Sequence, residues 1–272
     1  MGNVLLTADS GSTKTTWVGQ ANGHEMFRHQ TPGINPFMLD EAAIKDLLRN
    51  DAQLSALAPQ VADIRFFGAG CRGAQCDVVR KALQKVFAEA QTIVVDSDLA
   101  GAAHALLPDG TGIACIMGTG SNSGLFLRGK MVHNVSPLGY VLGDEGSGAV
   151  LGRLLVGDVL KHQLPEEICS DFFATYSLTP DEVVRRVYRE PMPNRFLASF
   201  APFLHRHRSH PAVHALLLHE FRRFFLRNVA AYGRPDLPIG LVGSIAFYFQ
   251  EEIAEAAASC SMTIGKVLRA PL

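Results

Sequence analysis

Apolar residues recur along the chain in two rhythms, one of period two and one of helical period, and the sequence of rhythms runs through twice. Residues 3–8 form an apolar run of strand length. The turn Asp9-Ser10-Gly11-Ser12-Thr13 breaks it, and a second strand follows over 14–19. Asn22-Gly23 signals a hairpin into a third strand over 24–29. Ile44, Leu47, Leu48, Leu54 and Leu57 fall at helical spacing and predict a helix over 41–58. A strand (64–68), a helix (74–90), a strand (92–95) and a helix (98–107) complete this half. At residue 112 the order restarts. A strand over 112–117 leads into a Gly-rich turn, strands over 123–127 and 130–134, and a helix over 146–161. A polar helical stretch (164–232), a short strand (239–242), a helix (247–259) and a last strand (262–269) follow.

The restart predicts an α/β protein of two lobes, 1–110 and 111–272, divided near Asp109-Gly110-Thr111-Gly112, where the turn chemistry changes. The repeat is one of pattern, with negligible identity between the halves. The first half closes on a helix beginning at Asp98. The second reaches Leu272 without a counterpart, so a final helix is expected to be absent from this chain.

Composition narrows the class. The 272 residues suit two lobes of roughly 100–150 residues each. At 47% hydrophobic residues, a sizeable core can be buried. A net charge of −1 offers no field for a polyanion, which excludes nucleic acid as the main partner. No segment reads as a membrane span, and the N-terminus lacks the basic flank of a signal peptide. Met1-Gly2 is followed by Leu at position 6, where a myristoylation signal needs Ser or Thr. The five cysteines are scattered, none in a C-x-x-C pair, and read as reduced thiols of a cytoplasmic protein.

The candidate chemistry lies in the two turns. Gly11, Ser12, Thr13 and Lys14 in the first, and Gly118-Thr119-Gly120-Ser121-Asn122 in the second, combine small residues with hydroxyls. Gly lets the main chain approach a polyphosphate so that N–H groups can point at its oxygens. Asp9 beside such a turn would repel phosphate unless a cation intervened, which implies Mg²⁺, held through water. Neither turn is a Walker A loop. Gly68-Ala69-Gly70-Cys71-Arg72-Gly73 is a literal G-x-G-x-x-G between a strand and a helix, and alone would suggest NAD and an oxidoreductase. It does not stand in the first β-α unit, Arg72 is bulky for a pyrophosphate turn, and the restart at residue 112 is foreign to that fold. An ordinary Gly-rich strand-to-helix loop is the better reading; if it has a function, it lines the substrate cleft.

Asp9–Lys14, Asp98-Leu99-Ala100-Gly101, Gly118–Asn122, Gly143-Asp144-Glu145-Gly146-Ser147 and Leu241-Val242-Gly243-Ser244, in that order, resemble the BadF/BadG/BcrA/BcrD-type ATPase family, and within it the N-acetylglucosamine kinases. The resemblance covers nearly the whole chain. It implies two ribonuclease-H-like, actin/hexokinase-type lobes around a nucleotide cleft, and transfer of the ATP γ-phosphate to a hydroxyl of an amino sugar. By resemblance Asp9 orients Mg²⁺, and Gly11, Ser12, Thr13, Lys14, Gly118, Thr119 and Gly120 hold phosphates. Gly243 and Ser244 sit near the adenosine, and Asp98 is the general base. Asn35 and Phe37, in Gly33-Ile34-Asn35-Pro36-Phe37, match the family's sugar-binding loop. Ser121, Asn122 and Asp144 complete the sugar contacts. Independently, Asp98 falls where a strand passes into a helix, an N-cap position with small residues behind it. Asp96 stands on the same side by period-two alternation and is a rival base. Two positions depart from the family. Pro137 precedes Gly143-Asp144 where a Gly-rich stretch is usual, and has no N–H to offer an acetamide. Phe37 stands where Trp is familiar. Glucosamine and N-acetylmuramic acid stay open as acceptors.

Two further features have ordinary readings. His205, His207, His210, His214 and His219 lack a completing ligand except Glu220 and read as a solvated helix edge. Phe221, Phe224, Phe225 and Val229 form a stripe that reads as core, with a homodimer face as the alternative. Within the same superfamily, an ATPase activator carrying an iron–sulfur cluster would need Cys near Gly118, where the chain has Ile116-Met117. A nucleotide-gated switch would keep the turns and need no base.

Overall fold

The computed structural model describes residues 3–11 and 13–272. Ser12, expected to contact phosphate, lies outside the described residues. The chain divides into two compact units, Met1–Ala105 with Pro271–Leu272, and Leu106–Ala270.

The first unit is built on β1 (Val4–Ser10), β2 (Lys14–Ala21), β3 (His24–Pro32), β4 (Val61–Gly68) and β5 (Thr92–Ser97), in the order β3-β2-β1-β4-β5. The first three strands pair antiparallel through tight turns, while β4 and β5 join parallel to β1. Val4, Leu6, Ala8 and Ser10 alternate into the interior along β1, so Asp9 falls on the opposite face. Trp17, Phe66 and Phe87 fill the core, with ring centroids 5.9 and 6.4 Å from Trp17. The Trp17 indole N–H is satisfied by Thr31 Oγ1 at 3.0 Å, as a buried donor requires.

The second unit repeats the plan with β6 (Gly112–Met117), β7 (Ser121–Leu127), β8 (Lys130–His133), β9 (Ile239–Val242) and β10 (Ile264–Leu268). Its order, β10-β9-β6-β7-β8, is the first unit's order with corresponding strands in corresponding places and the same parallel and antiparallel pairings. The pattern restart at residue 112 is therefore a repeat of topology. A large helical insert separates β8 from β9. The core of the unit is dominated by Phe172, Phe200, Phe203, Phe221, Phe224 and Phe225 of this insert, with Phe249 from beyond β9. Phe221, Phe224, Phe225 and Val229 are buried within their own unit, which removes that stripe as a surface for a second copy.

Three local expectations are corrected. The helix over 41–58 is two helices, Glu41–Asn50 and Ala52–Leu57. Asp51 leaves the helical region and accepts the N–H groups of Gln53 and Leu54, ending one helix and capping the next. The helix over 247–259 is Ser244–Tyr248 and Gln250–Ser259, broken at Phe249, whose backbone turns out of the helix while its ring is buried. The third concerns Asp98. Ser97 is the residue that caps, its Oγ accepting the Ala100 N–H at 3.2 Å, and Asp98 is the first helical residue of Asp98–Leu106. No helix among the described residues is long and apolar enough to cross a membrane.

The helix Gly148–Leu160 crosses the helix Pro193–Ala198 at Gly152, where a Cβ would lie 1.9 Å from the Leu197 carbonyl oxygen. Alanine gains about 1 kcal/mol of helix propensity over glycine. Here the obstacle is backbone, so overpacking of about 1–3 kcal/mol offsets or outweighs that gain. Gly152→Ala is expected to lower the urea midpoint of the second unit's unfolding; an unchanged or higher midpoint would show that the crossing can relax.

Candidate active site

Strand register brings the first unit's candidate residues to one edge. Ser10 pairs opposite Gly68, and Gly68 opposite Ser97, so β1, β4 and β5 end in a row. The turn after Ser10, the Gly-rich loop after Gly68 and the helix opening on Asp98 all leave from that row. Ligands of open α/β sheets gather at such carboxyl ends.

Ser10, which sequence reasoning passed over, ties these segments together. Its hydroxyl is fully buried and lies 2.7 Å from Thr15 Oγ1. It also accepts the Ile34 N–H at 2.9 Å and donates to the Ile34 carbonyl at 3.1 Å. The Ser10 carbonyl accepts the Ala69 N–H at 2.8 Å. The turn after Ser10, the Asn35 loop and the Gly-rich loop are thus one hydrogen-bonded assembly. The turn itself is closed by the Gly11 N–H on the Lys14 carbonyl at 3.0 Å, with Thr13 and Lys14 exposed. Asn35 Oδ1 accepts the Phe37 N–H at 3.0 Å, and the Phe37 ring is exposed. Gly70, at φ +82°, lies so close to Asn35 that a Cβ would come within 2.4 Å of Oδ1. The Gly68–Gly73 loop is therefore packed on the Asn35 loop, and its glycine serves that contact.

Asp9 and Asp98 are electrostatic neighbours. Burial, then the charge of Asp98, push the Asp9 carboxyl up to about 6 against the opposing pull of Lys14. Burial likewise raises Asp98, partly offset by the Leu99 N–H, which its Oδ1 accepts at 2.9 Å, and by the Arg72 charge. Asp96 is exposed, and its Oδ1 accepts the Ser97 N–H at 2.7 Å. Period-two alternation placed the two acids alike, but the strand ends at Ser97, and the change to a helix separates them.

The second unit has its own constellation. Met117 pairs opposite Ser121, and Ile116 opposite Val242, so the turn 118–120 and Gly243-Ser244 leave from adjoining strand ends. Gly243 packs against the Met117 carbonyl, where a Cβ would lie 2.2 Å from the oxygen. Gly118 donates to the Gly120 carbonyl at 2.9 Å. The Gly118 and Thr119 carbonyls accept the Gly148 and Ala149 N–H groups at 2.8 and 3.0 Å, fixing the turn to a helix start. The N–H groups of Thr119 and Gly120 find no partner among the described residues, which suits an anionic ligand. Beside this turn opens a cavity of about 460 Å³, lined at Gly118, Thr119 and Ser244 by turn residues and elsewhere by Ile245, Tyr248 and Phe249, with His205.

Asp144 lies against Gly120, and its carboxylate accepts the Ser121 N–H. Burial raises it to about 6, with Glu145 adding to the rise. The Ser121 hydroxyl is buried and donates to the Glu145 carbonyl at 2.8 Å; Asn122 Oδ1 accepts from the Ser123 N–H and Asn134 Nδ2. Both side chains thus make internal bonds. The neighbouring acids form a brace the sequence did not disclose. Glu145 is buried and accepts from Arg227 Nε at 2.5 Å and Asn228 Nδ2 at 3.2 Å. Burial works to raise its carboxyl, but its own N–H, Asn228 and Arg227 together hold it below the usual range. Arg227 and Asn228 stand on a π-helical turn, Phe225–Val229, a form frequent at functional sites. Glu220, the acid next to the histidines in sequence, is fully buried and accepts from the Gly146 N–H and Arg223. His207, His210 and His214 pair instead with Asp171, Glu167 and Glu255.

Two sheets of one topology, each bearing a Gly/Ser/Thr turn at its first hairpin, define a two-lobed α/β protein of the actin/hexokinase-like kind. The chain matches a candidate N-acetylglucosamine kinase of Porphyromonas gingivalis at 46% identity and TM-score 0.95, covering 98% of this chain and 95% of that one, and it belongs to that protein's family. A second candidate N-acetylglucosamine kinase, from Chromobacterium violaceum, is 18% identical at TM-score 0.73 over 97% of this chain and 95% of its own. A ROK family glucokinase from Streptomyces griseus, solved with glucose and AMPPNP, is 14% identical at TM-score 0.56 over 97% and 93%. These two show the fold. No family model matches the chain, and no curated protein does.

A carboxyl raised from its ordinary 3.8 to about 6 by folding costs stability when ionised: the cost appears as pH rises past 4 and is complete above 6. Asp144→Asn keeps an acceptor for Ser121 and suits the left-handed backbone at φ 51°. It should raise Tm relative to the parent at pH 7.5, with the gap closing by pH 4; a gap independent of pH would show that the Asp144 charge is not what costs stability.

Proposed function

We propose that the protein is an ATP-dependent sugar kinase of the BadF/BadG/BcrA/BcrD type, transferring the γ-phosphate to a hydroxyl of an amino sugar, N-acetylglucosamine or a relative, in the cytoplasm. The observation that carries the reading is Asp98, held just past the end of β5 beside Asp9, its carboxyl raised by burial. A carboxylate whose pKa is raised is a stronger proton acceptor. Asp98 takes the proton of the acceptor hydroxyl. That oxygen forms its bond to the γ-phosphorus as the bridging P–O bond breaks, and ADP leaves with the electron pair. Kinship with the Porphyromonas gingivalis protein supports a sugar as the acceptor.

The other residues take binding roles. Gly11, Thr13, Lys14, Gly118, Thr119 and Gly120 hold phosphates, and Gly243 and Ser244 adjoin the nucleoside. Asn35, Phe37, Asn122 and Asp144 address the sugar, with Ser121 holding Asp144 in place. The donor set fits Mg²⁺: one carboxylate, Asp9, with a second, Asp98, nearby suits a cation that keeps most of its water. Asp9 would hold it through water, and what it supplies when bound is charge neutralisation on the phosphates.

ADP release measured across a panel of amino sugars tests the reading. At least one sugar should stimulate turnover, and Asp98→Asn should lower kcat by about 10²–10⁴-fold with the ATP affinity nearly kept. ATP binding without stimulation by any sugar would sink the kinase reading. A second variant probes the sugar side: Gly70→Ala pushes on Asn35 and strains a positive-φ position. It should raise the sugar KM by about tenfold or more and leave the ATP KM within about twofold, a tenfold change being about 1.4 kcal/mol; equal effects on both would show that the loop serves folding rather than the acceptor.

A further inference from the structure

The cavity beside Gly118 and Thr119 is walled mainly by apolar side chains, and His205 brings a ring with two distinguishable nitrogens to its lining. Edge contacts hold that ring against Tyr248 and Phe249, with centroids 5.7 and 5.5 Å away and planes at 72° and 82°. Its Nε2 lies 3.1 Å from Arg208 Nη1. A guanidinium can only donate, so Nε2 must accept, and the ring proton must then sit on Nδ1. Arg208 is itself anchored: its Nε lies 3.5 Å from Oε1 of Glu252, a buried carboxylate whose other oxygen has no hydrogen-bond partner among the described residues. Displacing Arg208 would leave that carboxylate buried and unpaired, which is costly. The chain Glu252–Arg208–His205 therefore sets a tautomer at the wall of the cavity, and the Nδ1–H has no protein acceptor among the described residues.

We infer that His205 reads the nucleobase, its Nδ1–H donating to a ring nitrogen of a purine in this cavity, with Arg208 as the positioning residue that fixes the donor. The inference rests on the reading of this cavity as the nucleoside end of the ATP site. A purine suits the observations twice over. Its flat faces suit walls of Ile245, Tyr248 and Phe249, and its ring nitrogens N1, N3 and N7 in adenine are acceptors needing a donor. An apolar wall alone would hold any base of the right size; a single fixed donor discriminates by which edge nitrogen it meets. The histidines that looked like a solvated helix edge thus divide: three pair with surface acids, while His205 turns to the cavity.

Binding by titration calorimetry of ATP and of three analogues, in which N1, N3 or N7 is replaced by C–H, tests this in the full chain. One analogue should bind the parent about 3- to 10-fold more weakly than ATP, the value of one hydrogen bond. His205→Phe keeps the ring contacts and lacks the donor, so it should bind ATP and that analogue alike. His205→Asn, with an amide donor near the Nδ1 position, should restore the preference. Long-range ¹H–¹⁵N spectra of the parent should place the His205 proton on Nδ1. Identical analogue profiles for the parent and His205→Phe, or a proton on Nε2, would overturn the inference while leaving the nucleotide site standing. Failure of the parent to bind ATP at all would overturn both.

Discussion

Parallel pairing of β4 on β1, in the register that sets Gly68 opposite Ser10, is the constraint on which the first unit depends. With β5 set so that Ser97 lies opposite Gly68, three strands end at one level. The chain must leave the sheet there three times, and each exit carries a candidate group: the turn after Asp9, the loop behind Asn35, and Asp98. A slip of one residue would turn β1 over, sending Asp9 into the core and Ser10 out of it. Register is strongly specified because Leu6 and Ala8 are buried on one face, and the Ser10 hydroxyl adds a local lock that only one register allows.

The second unit reuses the plan with different means. Its turn at 118–120 is fixed by carbonyl contacts to the start of the helix Gly148–Leu160 rather than by a buried serine. The Gly143–Ser147 segment is held by two buried acids: Glu145 accepts from Arg227 and Asn228 on the π-helical turn, and Glu220, on the helix Pro211–Phe224, accepts from the Gly146 N–H and from Arg223. Buried carboxylates are weak contributors to stability even when paired. Their role is positional: the brace holds Glu145, the chain neighbour of Asp144, while the Asp144 carboxylate itself accepts the Ser121 N–H.

The candidate acids carry a cost in both units. Asp9 and Asp144 are each raised to about 6 by burial, and Asp98 is raised as well. Apolar or neutral residues at these places would be easier to fold. Sites for phosphate and cation chemistry accept such strain, because a half-desolvated carboxylate responds strongly to an arriving proton or positive charge.

Much of this was legible in the chain itself. The apolar rhythms predicted most strands and both turns, because alternation and loop chemistry are local properties. The restart at residue 112 predicted a doubled topology for the same reason. Helix breaks at Asp51 and Phe249 escaped, since a polar cap or a buried ring can interrupt helical spacing without altering it. Tertiary structure alone decided which acid stands beside Asp9, because Asp96 and Asp98 differ only once the strand is known to end at Ser97. It also decided the partners of Glu145, which come from 82 and 83 residues away on a π-helical turn. The turn at Asp9–Lys14 was written in local residue types; the Asn35 loop, the Gly-rich loop and His205 acquired their places from contacts across the fold, which no local pattern encodes.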